Sequence, residues 1–336
     1  VSPPATAPTL RELAPEGRLR RLELTVTRRL DGLLHGRYQG LLPGPGSEAA
    51  GSREYRPGVD EVRRMDWAVT ARTGVAHVRE CDADRELSVW LLVDATGSMQ
   101  FGTADLDKHE LTVAAVAAVG FLTAGAGNRL GAHVLEPAGV RRHPARTGRR
   151  HLLGLLRTLL TAPRTDPGPP APSLVDGLDS LHRAAGRRGL AVVVSDFLDG
   201  LPGADVPDTD ASAAGHGEPE PAWEAPLRRL AARHQVLAVE VTDPRELELP
   251  DVGVVTLVDP ETGRRREVDT ADPRLRHRYA EAAAAQRDLL RRAVRRTGAS
   301  HLVLRTDRDW TADIVRHVHL HRRLAHARPA ARGGTP

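Results

Sequence analysis

Leu91-Leu92-Val93-Asp94-Ala95-Thr96-Gly97-Ser98-Met99 decides how this chain is read. An apolar run stops abruptly on an aspartate, and two hydroxyl residues follow at alternate positions. The run predicts a buried strand. The spacing Asp94-x-Thr96-x-Ser98 then sets three oxygen-bearing side chains on one tight turn at the strand's end. Hard oxygens of this kind suit a small cation such as Mg²⁺, or another divalent ion such as Mn²⁺ or Ca²⁺. The competing reading is a plain strand-end turn, with Asp94 capping the next segment and the hydroxyls satisfying backbone donors.

Working outward, strand-like and helix-like patterns alternate. Strands are expected at 87–94, 129–136, 190–195, 235–241 and 300–305, with an edge strand at 139–146. Helices are expected at 108–126, 148–161, 173–185, 222–234, 272–297 and 310–327. A hairpin is expected over 253–269, turning at Asp259-Pro260-Glu261-Thr262-Gly263. That order predicts an α/β fold, a doubly wound and mainly parallel sheet with helices on both faces. A further helix at 17–34 has one apolar face and needs something to pack on. The expected organisation is a disordered N-terminus at 1–16, an N-terminal extension at 17–86, the α/β domain at 87–327 with a flexible insertion at 200–221, and a disordered tail at 328–336.

With 336 residues the chain can bury one large core plus an appendage. Its 48 basic and 44 acidic residues are interspersed, so the net charge of +4 says little about partners. The basic residues are almost all arginine, and Lys108 is the one lysine. A DNA-reading surface needs clustered basic residues and a groove-reading motif, so no nucleic-acid partner is expected. Cys81 is the single cysteine, which excludes an intrachain disulfide. Residues 1–10 lack the pattern of a secretory signal, and a cytoplasmic location is expected. Residues 111–127 approach membrane-spanning length but are rich in Ala and Gly, and read as a helix buried against the sheet, with no membrane span. The glycines of 36–51 lack a preceding strand and a following helix, so they form no nucleotide-binding fingerprint.

In open α/β sheets, ligands gather at the carboxyl ends of strands where the connections diverge. Asp94 and Asp196 both end strands on that edge. Thr96 and Ser98 would offer neutral hydroxyls, and the two aspartates would supply charge directly or through water. An ion held this way remains under-ligated and has room for a carboxylate from a partner protein.

Asp94-x-Thr96-x-Ser98 before a helix, with Asp196 after a later strand, resembles the metal-ion-dependent adhesion site of von Willebrand factor A domains. The family pattern has serine where Thr96 stands, so the hydroxyl is kept and a methyl added. The resemblance implies a third hydroxyl from the loop before the helix that leads to the Asp196 strand. Ser173 fits by position, with Thr165 as its competitor. Upstream, Arg53-x-Tyr55-x-Pro57-Gly58-x-Asp60-x-Val62-Arg63-x-Met65-Asp66-Trp67 closely resembles the signature of the bacterial domain of unknown function 58 proteins. The likeness continues through Asp243-Pro244-Arg245-Glu246, Leu249-Pro250 and 259–263, covering 33–324. Members of that family are von Willebrand A-like and often encoded beside MoxR-type AAA+ ATPases. The resemblance therefore implies a protein-interaction module with a chaperone-like or assembly partner, working without catalysis of its own.

Within the signature, Pro57-Gly58 favours a type II turn. Arg53, Asp60, Arg63 and Asp66 could form an ion-pair network, with Tyr55 and Trp67 as packing anchors; the alternative is that the arginines receive a phosphate or carboxylate of a ligand or partner. His317, His319 and His321 read as a solvated helix face, and Cys81 as structural. The rival function is a metal-dependent hydrolase of phosphoesters or similar substrates, using Asp94 and Asp196. Thr96 stands where aspartyl phosphatases carry a second aspartate, and Ser98 lacks a nucleophile elbow, so no general acid or base is placed by a motif.

Overall fold

The computed structural model describes residues 15–30, 52–55, 65, 67–79, 87–104, 106–123, 127–162, 171–202, 220–259 and 263–327. In chain order the elements begin with α1 (Pro15–Arg29), β1 (Ser52–Glu54), α2 (Trp67–Thr73), β2 (His77–Arg79) and β3 (Ser88–Asp94). Then come α3 (Lys108–Thr123), β4 (Arg129–Glu136), β5 (Gly139–Thr147), α4 (Arg149–Leu160), α5 (Leu174–Ala184) and β6 (Leu190–Ser195). The rest is α6 (Glu224–Arg233), β7 (Gln235–Thr242), β8 (Val254–Val258), β9 (Arg265–Asp269), α7 (Pro273–Thr297), β10 (Ser300–Arg305) and α8 (Trp310–Ala327).

Six strands form the main sheet in the order β10-β7-β6-β3-β4-β5. Every neighbouring pair is parallel except the β4–β5 hairpin at one edge. Numbered within the sheet alone, this is the 3-2-1-4-5-6 order of a doubly wound fold. The alternation of side chains explains the two cores. Along β6, Leu190, Val192 and Val194 face one hydrophobic cluster, whereas Ala191 and Val193 face the other. The first cluster is covered by α1, α3, α4 and α8, the second by α5, α6 and α7.

The apolar segment that approached membrane length is α3, lying between the sheet and the helices α1 and α4. Its alanines and valines are buried nearly all round, which is why the sequence shows little amphipathic rhythm there. Among the described residues no helix is long and apolar enough to cross a membrane. The N-terminal helix finds its partner here: Leu22 and Val26 enter the first core, and Glu23 receives Arg149 of α4 at 2.5 Å.

The hairpin β8–β9 forms a separate two-stranded sheet, and β1 pairs antiparallel with β2 in another. The β1–β2 pair was not evident in the sequence, because three-residue strands offer too few positions for a period of two to show. Residues 31–51, Cys81, most of the expected insertion, residues 1–14 of the expected N-terminal segment 1–16 and the expected tail 328–336 lie outside the described residues, while Pro15 and Glu16 open α1.

Candidate functional site

The strands β3 and β6 run parallel side by side, with Val93 opposite Val194. The chain leaves β3 for α3 on one face of the sheet and enters β6 from α5 on the other. That divergence marks the switch point of the fold, and its carboxyl edge carries Asp94, Ser195 and Asp196.

Asp94 is 4% exposed and fully engaged. Its Oδ1 accepts from the Thr96 hydroxyl at 2.7 Å and the Thr96 amide at 3.1 Å. Its Oδ2 accepts from the Ser195 hydroxyl at 2.6 Å, and Ser195 Oγ in turn accepts from the Phe197 amide at 3.0 Å. Thr96 Oγ1 lies 3.4 Å from Ser98 Oγ, and the Ser98 side chain hydrogen-bonds Asp196. The turn of 3₁₀ helix over Gly97–Gln100 takes no side-chain cap from Thr96. The Asp94–Thr96 amide bond is the one part of this geometry that a plain strand-end turn would also make; the hydroxyls face the carboxylates.

Asp196 meets a cation supplied by the chain itself. The Lys108 ammonium, at the first residue of α3, donates to Asp196 Oδ2 at 2.7 Å and to Glu246 Oε1 at 2.6 Å. Lys108 is completely buried. Its position is fixed by the backbone: the Lys108 amide reaches the Phe101 carbonyl at 2.9 Å, and Asp107 and Glu110 bond each other's amides at 2.7 and 3.1 Å. The loop between Ser98 and Lys108 folds so closely that a Cβ on Gly102 would stand 2.4 Å from Asp107 Cα. Glu246 is held by the Asp243 amide at 2.9 Å and Thr242 Oγ1 at 3.2 Å. Asp243 clasps the same loop through Thr103 Oγ1 at 2.6 Å and the loop that follows β10 through Thr306 Oγ1 at 2.8 Å. The motif Asp243-Pro244-Arg245-Glu246 thus ties three loops to Lys108.

Phe197, immediately after Asp196, adopts a left-handed φ of 57°. Such a conformation costs on the order of 1 kcal/mol in a residue with a side chain. Its ring is held edge-on against Trp223 at 5.3 Å, and Trp223 Nε1 donates to the Phe197 carbonyl at 3.2 Å. The core thereby fixes the turn that aims Asp196.

The two aspartates differ electrostatically. Burial, reinforced by the Asp196 charge and opposed by bonds from Ser195 and Thr96, raises Asp94 to a pKa of about 6. Burial also pushes Asp196 upward, but the adjacent Lys108 more than offsets it and holds the carboxyl below its ordinary value. For Lys108 burial acts downward, and the Asp196 and Glu246 carboxylates carry it well above the ordinary lysine range. Asp94 therefore remains short of positive charge even with Lys108 present. Two carboxylates and two hydroxyls, all hard oxygens, fit a divalent cation. Among the described residues no three His, Cys, Asp or Glu side chains gather to hold a metal.

The structure brings Asp94, Thr96, Ser98 and Asp196 together and gives Ser173 another task. Ser173 caps α5: its hydroxyl donates to Asp176 Oδ2 at 2.7 Å and accepts the Asp176 amide at 3.1 Å. Thr165 lies outside the described residues, as do Pro57, Gly58, Asp60, Arg63 and Asp66 of the upstream signature. Arg53 sits in β1 opposite Val78, and the Tyr55 amide bonds the Ala76 carbonyl at 2.8 Å. Trp67 is not a packing anchor: it opens α2 with 65% of its surface exposed. Of the α8 histidines, His319 is exposed as expected, whereas His317 and His321 differ from a solvated face. His317 is 8% exposed and packs its ring 4.2 Å from that of His321, because this side of α8 closes over the sheet.

Lys108, Ser195 and Glu246 were missed from sequence. Lys108 did carry a signal: it is the only lysine among 48 Lys and Arg residues. Where arginine serves everywhere else, a lone lysine marks a place for a compact three-donor ammonium rather than a planar fork.

Known proteins bear on this arrangement. The family described as "Protein of unknown function DUF58" matches residues 51–289. An uncharacterized protein of Mycobacterium tuberculosis is 52% identical over 307 residues, covering 91% of this chain and 90% of that protein. Another, from Mycobacterium avium, is 47% identical over 184 residues, covering 55% of this chain and 96% of its own length. Among solved structures, the conserved hypothetical protein BatB from Bacteroides thetaiotaomicron aligns with a TM-score of 0.39 and 10% identity, over 70% of this chain and 99% of that one. The SpRpn10 VWA domain aligns with a TM-score of 0.34 and 9% identity, over 68% and 94% respectively. The sheet order, with its oxygen-rich loop at the switch point, is itself von Willebrand factor A-like. Matched over residues 51–289 and 52% identical to a mycobacterial relative, the chain belongs to the DUF58 family.

Proposed function

We propose that the chain is a non-catalytic protein-interaction module that holds a partner through a divalent cation, Mg²⁺ in the first instance, at the Asp94 loop. The observation that carries this reading is the convergence of Asp94, Thr96, Ser98 and Asp196 at the switch point. Asp94 would supply charge to the ion, Thr96 and Ser98 hydroxyl oxygens, and Asp196 charge from beside Lys108. When bound, the cation would supply an electrophilic centre for an incoming carboxylate. Ser195 orients Asp94 from one side and Thr96 from the other, so the carboxylate is fixed before any ligand arrives.

The partner is an acidic segment of a MoxR-type AAA+ ATPase or of its client, in a cytoplasmic assembly or chaperone-like role. This follows from the family resemblance of the Arg53–Trp67 and Asp243–Glu246 motifs. The hydrolase alternative would use the same two carboxylates, Asp94 bonded by two hydroxyls and an amide and Asp196 by an amide and the Lys108 ammonium, and turnover by the purified chain separates it from the binding reading. The test is a pulldown with the intact chain in Mg²⁺ and in chelator. Recovery of an AAA+ ATPase in Mg²⁺ only, lost with Asp94→Ala, is the expected result. Recovery unchanged by both treatments would count against the reading, as would turnover of a phosphoester by the purified chain that requires Asp94.

A further inference from the structure

Lys108 is a charge inside the proposed cation site, and three observations set its role. First, its ammonium bridges Asp196 Oδ2 at 2.7 Å and Glu246 Oε1 at 2.6 Å, with no exposure to solvent. Second, it is tethered at both ends. Its backbone is locked at the start of α3 by the Phe101 carbonyl and the Asp107–Glu110 pair, and Glu246 is anchored by the Asp243 amide and Thr242. Third, the other Asp196 oxygen, Oδ1, accepts the Leu198 amide at 3.1 Å, which holds the carboxylate in its orientation toward Lys108. A divalent ion drawn to Asp196 therefore meets a carboxylate shared with a fixed ammonium, and like charges at that range repel.

We infer that Lys108 is an internal counter-ion that holds down the affinity of the site for free divalent cation, so that the ion is retained firmly only when a partner's carboxylate joins it. This rests on the cation-site reading above and adds its regulation. Lys108 is a positioning residue that acts through Asp196. In a chain whose other basic side chains are all arginine, a small three-donor ammonium fits between two carboxylates where a guanidinium fork would not. The device makes metal and partner binding cooperative, because each supplies charge the other needs.

The test uses the full chain and Mn²⁺ as probe, titrated with detection of free Mn²⁺ by electron paramagnetic resonance. Lys108→Met alone would leave the buried Asp196 and the partly buried Glu246 carboxylates uncompensated, so the variant is Lys108→Met combined with Glu246→Gln, its fold checked by circular dichroism. This variant is expected to bind Mn²⁺ about tenfold or more tightly than wild type, a gain abolished by adding Asp94→Ala. A merely structural lysine would not yield tighter metal binding on removal. Equal or weaker binding by the variant, with wild-type binding still dependent on Asp94, overturns the inference and leaves the cation site standing. Binding by neither protein in an Asp94-dependent manner overturns both.

A second measurement needs no substitution. Because Lys108 is the only lysine, ¹⁵N-lysine labelling gives one side-chain ammonium signal, expected to be protected from exchange and to shift as Mg²⁺ is added. A signal that stays fixed while Mn²⁺ binds in an Asp94-dependent manner contradicts the inference.

Discussion

Lys108 and Asp94 stand in one cluster for different physical reasons. The strand-end loop Asp94-Ala95-Thr96-Gly97-Ser98 is local, so its oxygen geometry could be read from consecutive residues. The groups that complete it are distant in sequence: Ser195 lies 101 residues from Asp94, and Lys108 lies 88 residues from Asp196. No spacing rule connects such pairs, and only the sheet order brings them together. Breaking the buried triad from one side has a large expected cost. Lys108→Met should lower stability by about 3 kcal/mol, because it strands the buried Asp196 carboxylate and the partly buried Glu246. Equilibrium urea unfolding would show this as a lower midpoint with an unchanged slope, and the added Glu246→Gln should recover part of the loss.

Among the elements, the strands and helices of the main sheet were legible because each carries a clear period. The strands β4 and β6 coincide with their expected spans, and the helices differ by a few residues at their ends. Ser173 answers two demands at once, because family position and helix capping ask for the same residue type. A hydroxyl before an apolar helix with an acid three residues on is also a capping box, and the structure forms that box. Ser173→Ala should therefore cost about 1 kcal/mol of stability, the usual worth of a serine cap. Cation-dependent association should be unaffected. A thermal melt and a parallel pulldown separate the two effects, and loss of Mg²⁺-dependent association with an unchanged melt would reinstate Ser173 at the site.

Across the whole molecule, acid pH acts also through buried histidines, His133 in β4 opposite Leu92 and His317 in α8. Burial, with Arg142 and His143 nearby, lowers His133 to a pKa of about 4. Burial, with His321 and His301 nearby, does the same for His317. Both stand at 6.5 when free of these surroundings. The unfolded chain therefore takes up protons first as pH falls, so the stability these groups permit is complete above about 6.5 and is lost on the way down to about 4. Each contributes a loss on the order of 2 kcal/mol near pH 5. Replacing His317, whose Nε2 has no partner, with Leu should flatten the fall in melting temperature between neutral pH and about pH 5. An unchanged fall would mean that His317 does not remain neutral in the folded chain.

The sheet, its two cores and the loop at its switch point all serve one claim, that the chain holds an acidic partner through a divalent cation at Asp94. The most direct measurement is the affinity between the purified chain and a purified MoxR-type AAA+ partner, in Mg²⁺ and in chelator, for wild type, Asp94→Ala and Ser98→Ala. The account predicts that chelation, and either substitution in Mg²⁺, weakens association about tenfold or more, equivalent to about 1.4 kcal/mol, while circular dichroism and melting show the variants folded. Measurable association with the same affinity in all of these conditions would contradict it.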